Sequence, residues 1–207
     1  MSQRLEDKKL DLQFPPQKTG GVSFGLIGST RSGKTTILIH LLEKYFDEHL
    51  VTLMSNSIHA PIYEEIKACL KSPKYTPRLI KEGYEINRKT GNKYPFLFVL
   101  DDVVDKKFDK ELLKLFTIYR NSGISCIISL QSLKLMNTAS RGNVNFMLLG
   151  KLNSDEAIEQ VVRAYLMSYL PGKVEDKVRA YKQVTEGHHF IVVNNLDGTV
   201  FRTKLQL

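Results

Sequence analysis

Val22-Ser23-Phe24-Gly25-Leu26-Ile27 and the eight residues after it, Gly28-Ser29-Thr30-Arg31-Ser32-Gly33-Lys34-Thr35, decide the fold. The first stretch is an apolar run with the length of one buried strand. The second matches the pattern G-x-x-x-x-G-K-[ST] at every fixed position. From Lys34 to Phe46 the apolar residues Ile37, Leu38, Leu41, Leu42 and Tyr45 recur at helical spacing. Average residue usage would produce the four fixed positions by chance in roughly one chain per hundred of this length, so the flanking strand and helix are what turn a match into a site.

Each position in the loop has a physical job. Glycines at 28 and 33 let the backbone curl, so that the amides of residues 28–36, through Ser29, Thr30, Arg31, Ser32 and Thr36, can point at phosphate oxygens. The unpaired donors and dipole at the N-terminus of the following helix attract the same anion. Lys34 is expected to bridge the β- and γ-phosphates of ATP, and the Thr35 hydroxyl to hold Mg²⁺, a cation that prefers oxygen ligands.

Outward from the loop, the chain reads as one α/β unit. Its 207 residues, 42% hydrophobic and 25% charged, suit a single domain that buries a sizeable core, here taken as residues 21–207 behind a polar, proline-containing N-terminal arm at 1–20. No apolar run approaches the ~20 residues of a membrane-spanning helix. The N-terminus lacks the apolar segment of a signal peptide, which predicts a chain that stays inside a cell. Cys69 and Cys126 lack metal-ligand spacing, and His188-His189 has no third ligand nearby, so neither pair predicts zinc. The net charge of +8 leaves polyanionic partners open, although the basic residues are spread along the chain.

Apolar runs predict further strands at 50–54, 96–100, 124–130 and 144–149. Helical spacing predicts helices near 61–70, 105–119, 155–169 and 174–185. The stretch at about 71–94, rich in Pro, Gly, Lys and Tyr, predicts a polar surface excursion or hairpin; its Tyr75, Tyr84 and Tyr94 could stack on bases or meet a protein partner, or simply decorate a solvated insert. A closing hairpin at 189–193 and 200–205 turns at Asn195-Leu196-Asp197-Gly198. Strands alternating with helices imply a three-layer α/β sandwich, its sheet mostly parallel and ending in an antiparallel edge.

Two polar clusters end the later strands. Asp101-Asp102 directly follow Phe96-Leu97-Phe98-Val99-Leu100, as in a Walker B element. An acid at the carboxyl end of a parallel strand opens towards the ligand crevice, so Asp101 is expected to hold Mg²⁺ and Asp102 to act as base towards water; a solvated turn capping the next helix is the plainer alternative. Gln131 ends the strand Ile124 to Leu130, where a neutral amide could sense the γ-phosphate or merely begin a surface loop. Arg120 ends the helix before that strand, where it could also complement the negative helix end.

In combination, the phosphate loop, the Asp-Asp pair, the helix ending in Arg120, the strand ending in Gln131 and the later Arg141-Gly142-Asn143-Val144-Asn145 resemble the FtsK/HerA superfamily of RecA/ASCE-like P-loop NTPases. They are most similar to the small poxvirus-type genome-packaging ATPases of large DNA viruses and virophages. The likeness runs from about Gly21 to Val193. It implies a motor, a homo-oligomeric ring (pentamer or hexamer) that drives double-stranded DNA into a preformed capsid at a capsid-vertex protein, in the host-cell cytoplasm or carried in the virion. It implies Gln131 as sensor and a trans-acting arginine finger at Arg120 or Arg141. Asn121 stands where the family often has His, and Asp102 where many motors have Glu. A small-molecule kinase, for which no arginine-rich lid is visible, and a slow nucleotide-dependent assembly protein are the alternative functions.

Overall fold

The computed structural model describes residues 5–14, 20–103 and 110–204. Eight strands form one sheet: β1 (Ser23–Ile27), β2 (Leu50–Ser55), β3 (Leu70–Ser72), β4 (Phe96–Asp101), β5 (Ile124–Leu130), β6 (Phe146–Leu149), β7 (His189–Asn194) and β8 (Thr199–Lys204). Their order is β3-β2-β4-β5-β1-β6-β7-β8. The first six pair in parallel and the closing hairpin antiparallel. The helices are α1 (Lys34–Tyr45), α2 (Pro77–Lys89), α3 (Lys110–Thr117), α4 (Thr138–Asn143), α5 (Asp155–Val161) and α6 (Val174–Val184).

Alternation along the strands divides the core in two. Phe24, Leu26, Leu53, Leu97, Val99, Ile127 and Phe146 pack towards α1; Ile27, Met54, Phe98, Leu100, Ile128 and Met147 pack towards α3, α5 and α6. This is the three-layer sandwich expected from the sequence. The alternation also sends Asp101, two residues after Val99, to the α1 side of the sheet, where the phosphate loop lies.

Two expectations fail between β2 and β4. In place of a helix near 61–70 there is one 3₁₀ turn, Pro61–Tyr63, before Cys69 donates to the Val51 carbonyl at 2.9 Å and the chain joins β2 as edge strand β3. A helix there would bury little beyond Tyr63 and Ile66, whereas pairing satisfies the open edge of β2. The expected surface excursion is instead β3 and α2, which packs on the sheet. Its contact face is Ile80, Gly83 and Asn87 with Leu79 and Tyr84 beside them, an apolar side at helical spacing within an otherwise polar segment. Gly83 is required by proximity, since a Cβ there would come within 2.6 Å of the Phe98 ring. Asn87 is buried with both ends of its amide used, donating to the Ser122 carbonyl at 2.6 Å and accepting from the Tyr94 amide at 3.2 Å. Tyr84 stacks on Tyr119 at 4.1 Å between centroids and Tyr75 packs against the core, so neither is free to stack on bases. The start of the helix expected at 105 lies outside the described residues.

The described part of the lead segment is docked. Leu10 and Leu12 are buried, and Phe14 packs on Phe24, Tyr45, Phe46 and Phe146. The Leu12 amide donates to the Tyr45 hydroxyl at 2.9 Å, and Lys44 Nζ donates to the Leu10 carbonyl at 2.6 Å. Leu12→Ala should therefore destabilise the whole domain by about 2–4 kcal/mol in urea unfolding; an unchanged midpoint would mean that this segment is loosely held.

Candidate active site

Backbone bonds place the phosphate loop before any ligand does. The Gly28 amide donates to the Leu130 carbonyl at the end of β5 (3.1 Å), and the Ser29 amide to the Lys151 carbonyl just beyond β6 (2.8 Å). The loop is thus held between the carboxyl ends of the two strands that flank β1. Arg31 (φ 64°) and Gly33 (φ 91°) take the left-handed conformation that curls it, and a Cβ at Gly28 would sit 2.4 Å from Ser32 Oγ. Thr30 and Arg31 are exposed at its tip, and Thr36 lies half-buried in the first turn of α1. That turn carries no acidic residue, so the positive end of the helix dipole remains available to an anion.

The side chains expected from the loop and the Asp-Asp pair converge here. Lys34 is 5% exposed; its Nζ donates to the Gly28 carbonyl (2.8 Å) and the Ser29 carbonyl (3.3 Å), and lies 3.7 Å from Asp102 Oδ2. Thr35 Oγ1 donates to Asp101 Oδ2 at 3.3 Å. Asp101 is 1% exposed, and its Oδ1 is buried without a hydrogen-bond partner. In the sheet register Asp101 lies between Ser55 on β2 and Ser129 on β5, both buried, forming a polar row across three otherwise apolar strands. These donors are all oxygens, and an unpartnered carboxylate oxygen faces no competing donor. Thr35 and Asp101 therefore fit Mg²⁺, which takes hard oxygen ligands.

Asp102 sits at the turn out of β4 with φ 50°, a conformation tolerated by Asp but rare for most side chains. Its amide donates to the Ser129 carbonyl at 3.2 Å, and Asn56 Nδ2 donates to its carbonyl at 3.0 Å. Gln131 lies beside its carboxylate, so the expected sensor and base are neighbours. Burial raises the Asp102 carboxyl above its ordinary 3.8, against the pull of the Lys34 ammonium. A base that titrates nearer neutrality transfers protons more effectively.

Neither arginine reaches this cluster. Arg120 stands at the amino ends of the strands, where its carbonyl accepts from the Gly21 amide at 2.7 Å and its Nη1 donates to the Asn143 carbonyl at 3.3 Å. Arg141 is tied into the connection after β5, with Nε donating to the Met136 carbonyl (3.0 Å) and Nη2 to the Leu133 carbonyl (2.8 Å).

Tyr63, Ser55, Ser129 and Asn56 have no counterpart in the sequence reading. A serine closing or nearly closing an apolar strand was the available signal for two of them; Tyr63 offered none. Its hydroxyl donates to Asp101 Oδ2 at 2.5 Å, and burial together with the Asp101 charge pushes its pKa up to about 12.

A family model, the poxvirus A32 protein, matches residues 19–201. The chain belongs to this family. No curated protein sequence matches it. Among solved structures it is similar to the genome packaging NTPase B204 of Sulfolobus turreted icosahedral virus 2 in complex with AMPPCP, at a TM-score of 0.65 and 11% identity over 89% of this chain and 97% of that one. It is also similar to the pCW3 conjugation coupling protein TcpA with ATPγS (TM-score 0.59, 18% identity, 89% of this chain and 60% of that one). A third likeness is to EssC ATPases 2 and 3 of Geobacillus thermodenitrificans (TM-score 0.62, 13% identity, 91% and 40%). At these identities the structures show the fold, that of an α/β P-loop NTPase. The A32 family match bears out the resemblance to poxvirus-type packaging ATPases.

The raised Asp102 carboxyl has a consequence for stability. A carboxyl raised on folding favours the native state below its unfolded value, and that contribution is lost as pH rises through the folded value. Above that window the native state carries the cost of the ionised group. Without nucleotide or metal, Asp102→Asn should thus unfold at a temperature equal to or above the parent's near neutral pH, with the difference vanishing below 3.8. A marked loss of Tm at neutral pH would show that Asp102 stabilises the fold as an ion.

Proposed function

We propose that this chain hydrolyses ATP with Mg²⁺ and uses the energy to move double-stranded viral DNA into a preformed capsid. The observation that carries this reading is the convergence of Lys34, Asp102 and Gln131 at the carboxyl edge of the sheet, in a chain of the A32 family. B204, to which the fold is similar, is a genome packaging NTPase whose structure is in complex with AMPPCP.

The residues divide the work. Loop amides and Lys34 bind and orient the triphosphate, with Lys34 exchanging its contacts to the Gly28 and Ser29 carbonyls for phosphate oxygens. Thr35 and Asp101 hold Mg²⁺, which neutralises phosphate charge when bound. Asp102 takes the proton of the attacking water, while Gln131 beside it senses the γ-phosphate. As the new bond to the γ-phosphorus forms, the bond to the β–γ bridging oxygen breaks, and ADP and phosphate leave.

Charge on the γ-phosphoryl oxygens calls for a further cation, which a guanidinium from a neighbouring subunit can supply at roughly 10³ to 10⁵ in rate. An arginine at the amino edge of the sheet stands away from its own phosphate loop and would serve the site of another copy, which favours a ring. Arg120 suits that role better than Arg141, whose guanidinium is already engaged by two carbonyls. Such a ring would act at the assembly site in the host-cell cytoplasm, docked on a capsid or capsid-vertex protein. The excess of basic residues favours a grip on duplex phosphates, which follow one another every ~1.7 Å along the axis.

ATP turnover should rise with duplex DNA and more than proportionally with protein concentration, and Lys34→Ala should reduce it about 10²-fold or more. Phosphate transfer to an added small acceptor would instead indicate a kinase, and nucleotide-driven assembly without turnover a scaffold. Mixing inactive Arg120→Ala with inactive Lys34→Ala should restore part of the rate, because each supplies what the other lacks. The same mixture with Arg141→Ala should not, and rescue there alone would move the finger to Arg141.

A further inference from the structure

The connection between β2 and β3 returns one side chain to the active site. Tyr63 ends its 3₁₀ turn, is 4% exposed, and packs in the same apolar cluster as Ile58 and Ile66. Its hydroxyl meets Asp101 Oδ2 at 2.5 Å, the oxygen that also accepts from Thr35 at 3.3 Å. The Ser55 and Thr35 hydroxyls lie close to it. One Asp101 oxygen thus has two donors, while the other, equally buried, has none. Packing alone does not explain this asymmetry, since a phenylalanine would fill the same space.

We infer that Tyr63 is a positioning residue for the divalent cation: its hydroxyl holds the Asp101 carboxylate in the orientation that leaves Oδ1 free for the metal or a water bound to it. The inference rests on the metal–nucleotide reading of the site and adds to it a residue from outside the phosphate-loop and Asp-Asp motifs. A carboxylate that also ligates a metal gains from a donor on its other oxygen, because that bond fixes its rotamer before the cation arrives. The same residue couples the site to the sheet edge. The Tyr63 carbonyl accepts from Lys71 Nζ on β3 at 2.6 Å, so the segment that orients Asp101 is anchored to the outermost parallel strand.

The test is cation-dependent binding of a fluorescent, non-hydrolysable ATP analogue to the full chain, titrated with Mn²⁺. Tyr63→Phe should raise the half-saturating Mn²⁺ concentration about 10-fold, the scale on which outer-shell partners of metal ligands act. Binding of the analogue in EDTA should be unchanged. Ile66→Val, which loosens the same connection and leaves the hydroxyl in place, should leave the Mn²⁺ dependence as it was. An unaltered half-saturation in Tyr63→Phe overturns the inference, and so does an equal shift in both variants, since the effect would then be packing. If the parent chain binds no analogue with Mn²⁺ present, the nucleotide reading itself falls, a result distinct from either.

Discussion

The two amide hydrogen bonds that tie Gly28 to the end of β5 and Ser29 to Lys151, two residues beyond β6, are the constraint from which the site follows. They require β5 and β6 to flank β1, and the strand order supplies that arrangement. With the loop clamped on both sides, its curl is completed by two left-handed residues, and α1 must begin with its free amides facing the crevice. A crevice at the carboxyl ends of parallel strands then receives whatever side chains those strands end on. Lys34 and Thr35 come from the helix, Asp101 and Ser129 from the sheet.

That crevice is polar in a structure otherwise stabilised by two apolar layers. Ser55, Asp101 and Ser129 stand in register across β2, β4 and β5, all about fully buried. Buried polar atoms without partners cost stability unless a ligand satisfies them, and Asp101 Oδ1, Ser129 Oγ and Ser32 Oγ are all in that state. Asp102 adds a left-handed backbone and a carboxyl displaced by burial. Such features persist only where the surroundings hold them in place, here β4 and β5 on one side and the Asn56 amide on the other. The binding free energy of a metal–nucleotide would be drawn in part from relieving these deficits.

Legibility in the sequence tracked how much of each signal was local. The phosphate loop, β1 and α1 were readable because motif, apolar run and helical period lie within one contiguous stretch. β4 and β5 were readable because strands buried on both faces are continuous apolar runs, and the closing hairpin because Asn195-Leu196-Asp197-Gly198 supplies its turn. The region from 61 to 93 was misread for the converse reason. β3 exists because β2 offers an edge, and α2 is fixed to the sheet by a close glycine and a buried asparagine, whose roles show only once their partners are in place. Asn87 can be buried only because the Ser122 carbonyl and the Tyr94 amide meet it.

The amino-acid sequence by itself determined the phosphate-loop pattern, since the curl, the lysine and the hydroxyl are set by residue types at fixed spacing. It also determined that an acid follows an apolar strand. Tertiary structure alone decided that Asp101 faces α1 while Asp102 turns towards Lys34 and Gln131, because the parity of a strand and the turn that ends it become directions only once the neighbouring strands are in place. It decided, too, that Tyr63 reaches Asp101 across 38 residues of chain and that Arg120 stands at the far edge of the sheet, since such distances are closed by packing and leave no trace in local pattern.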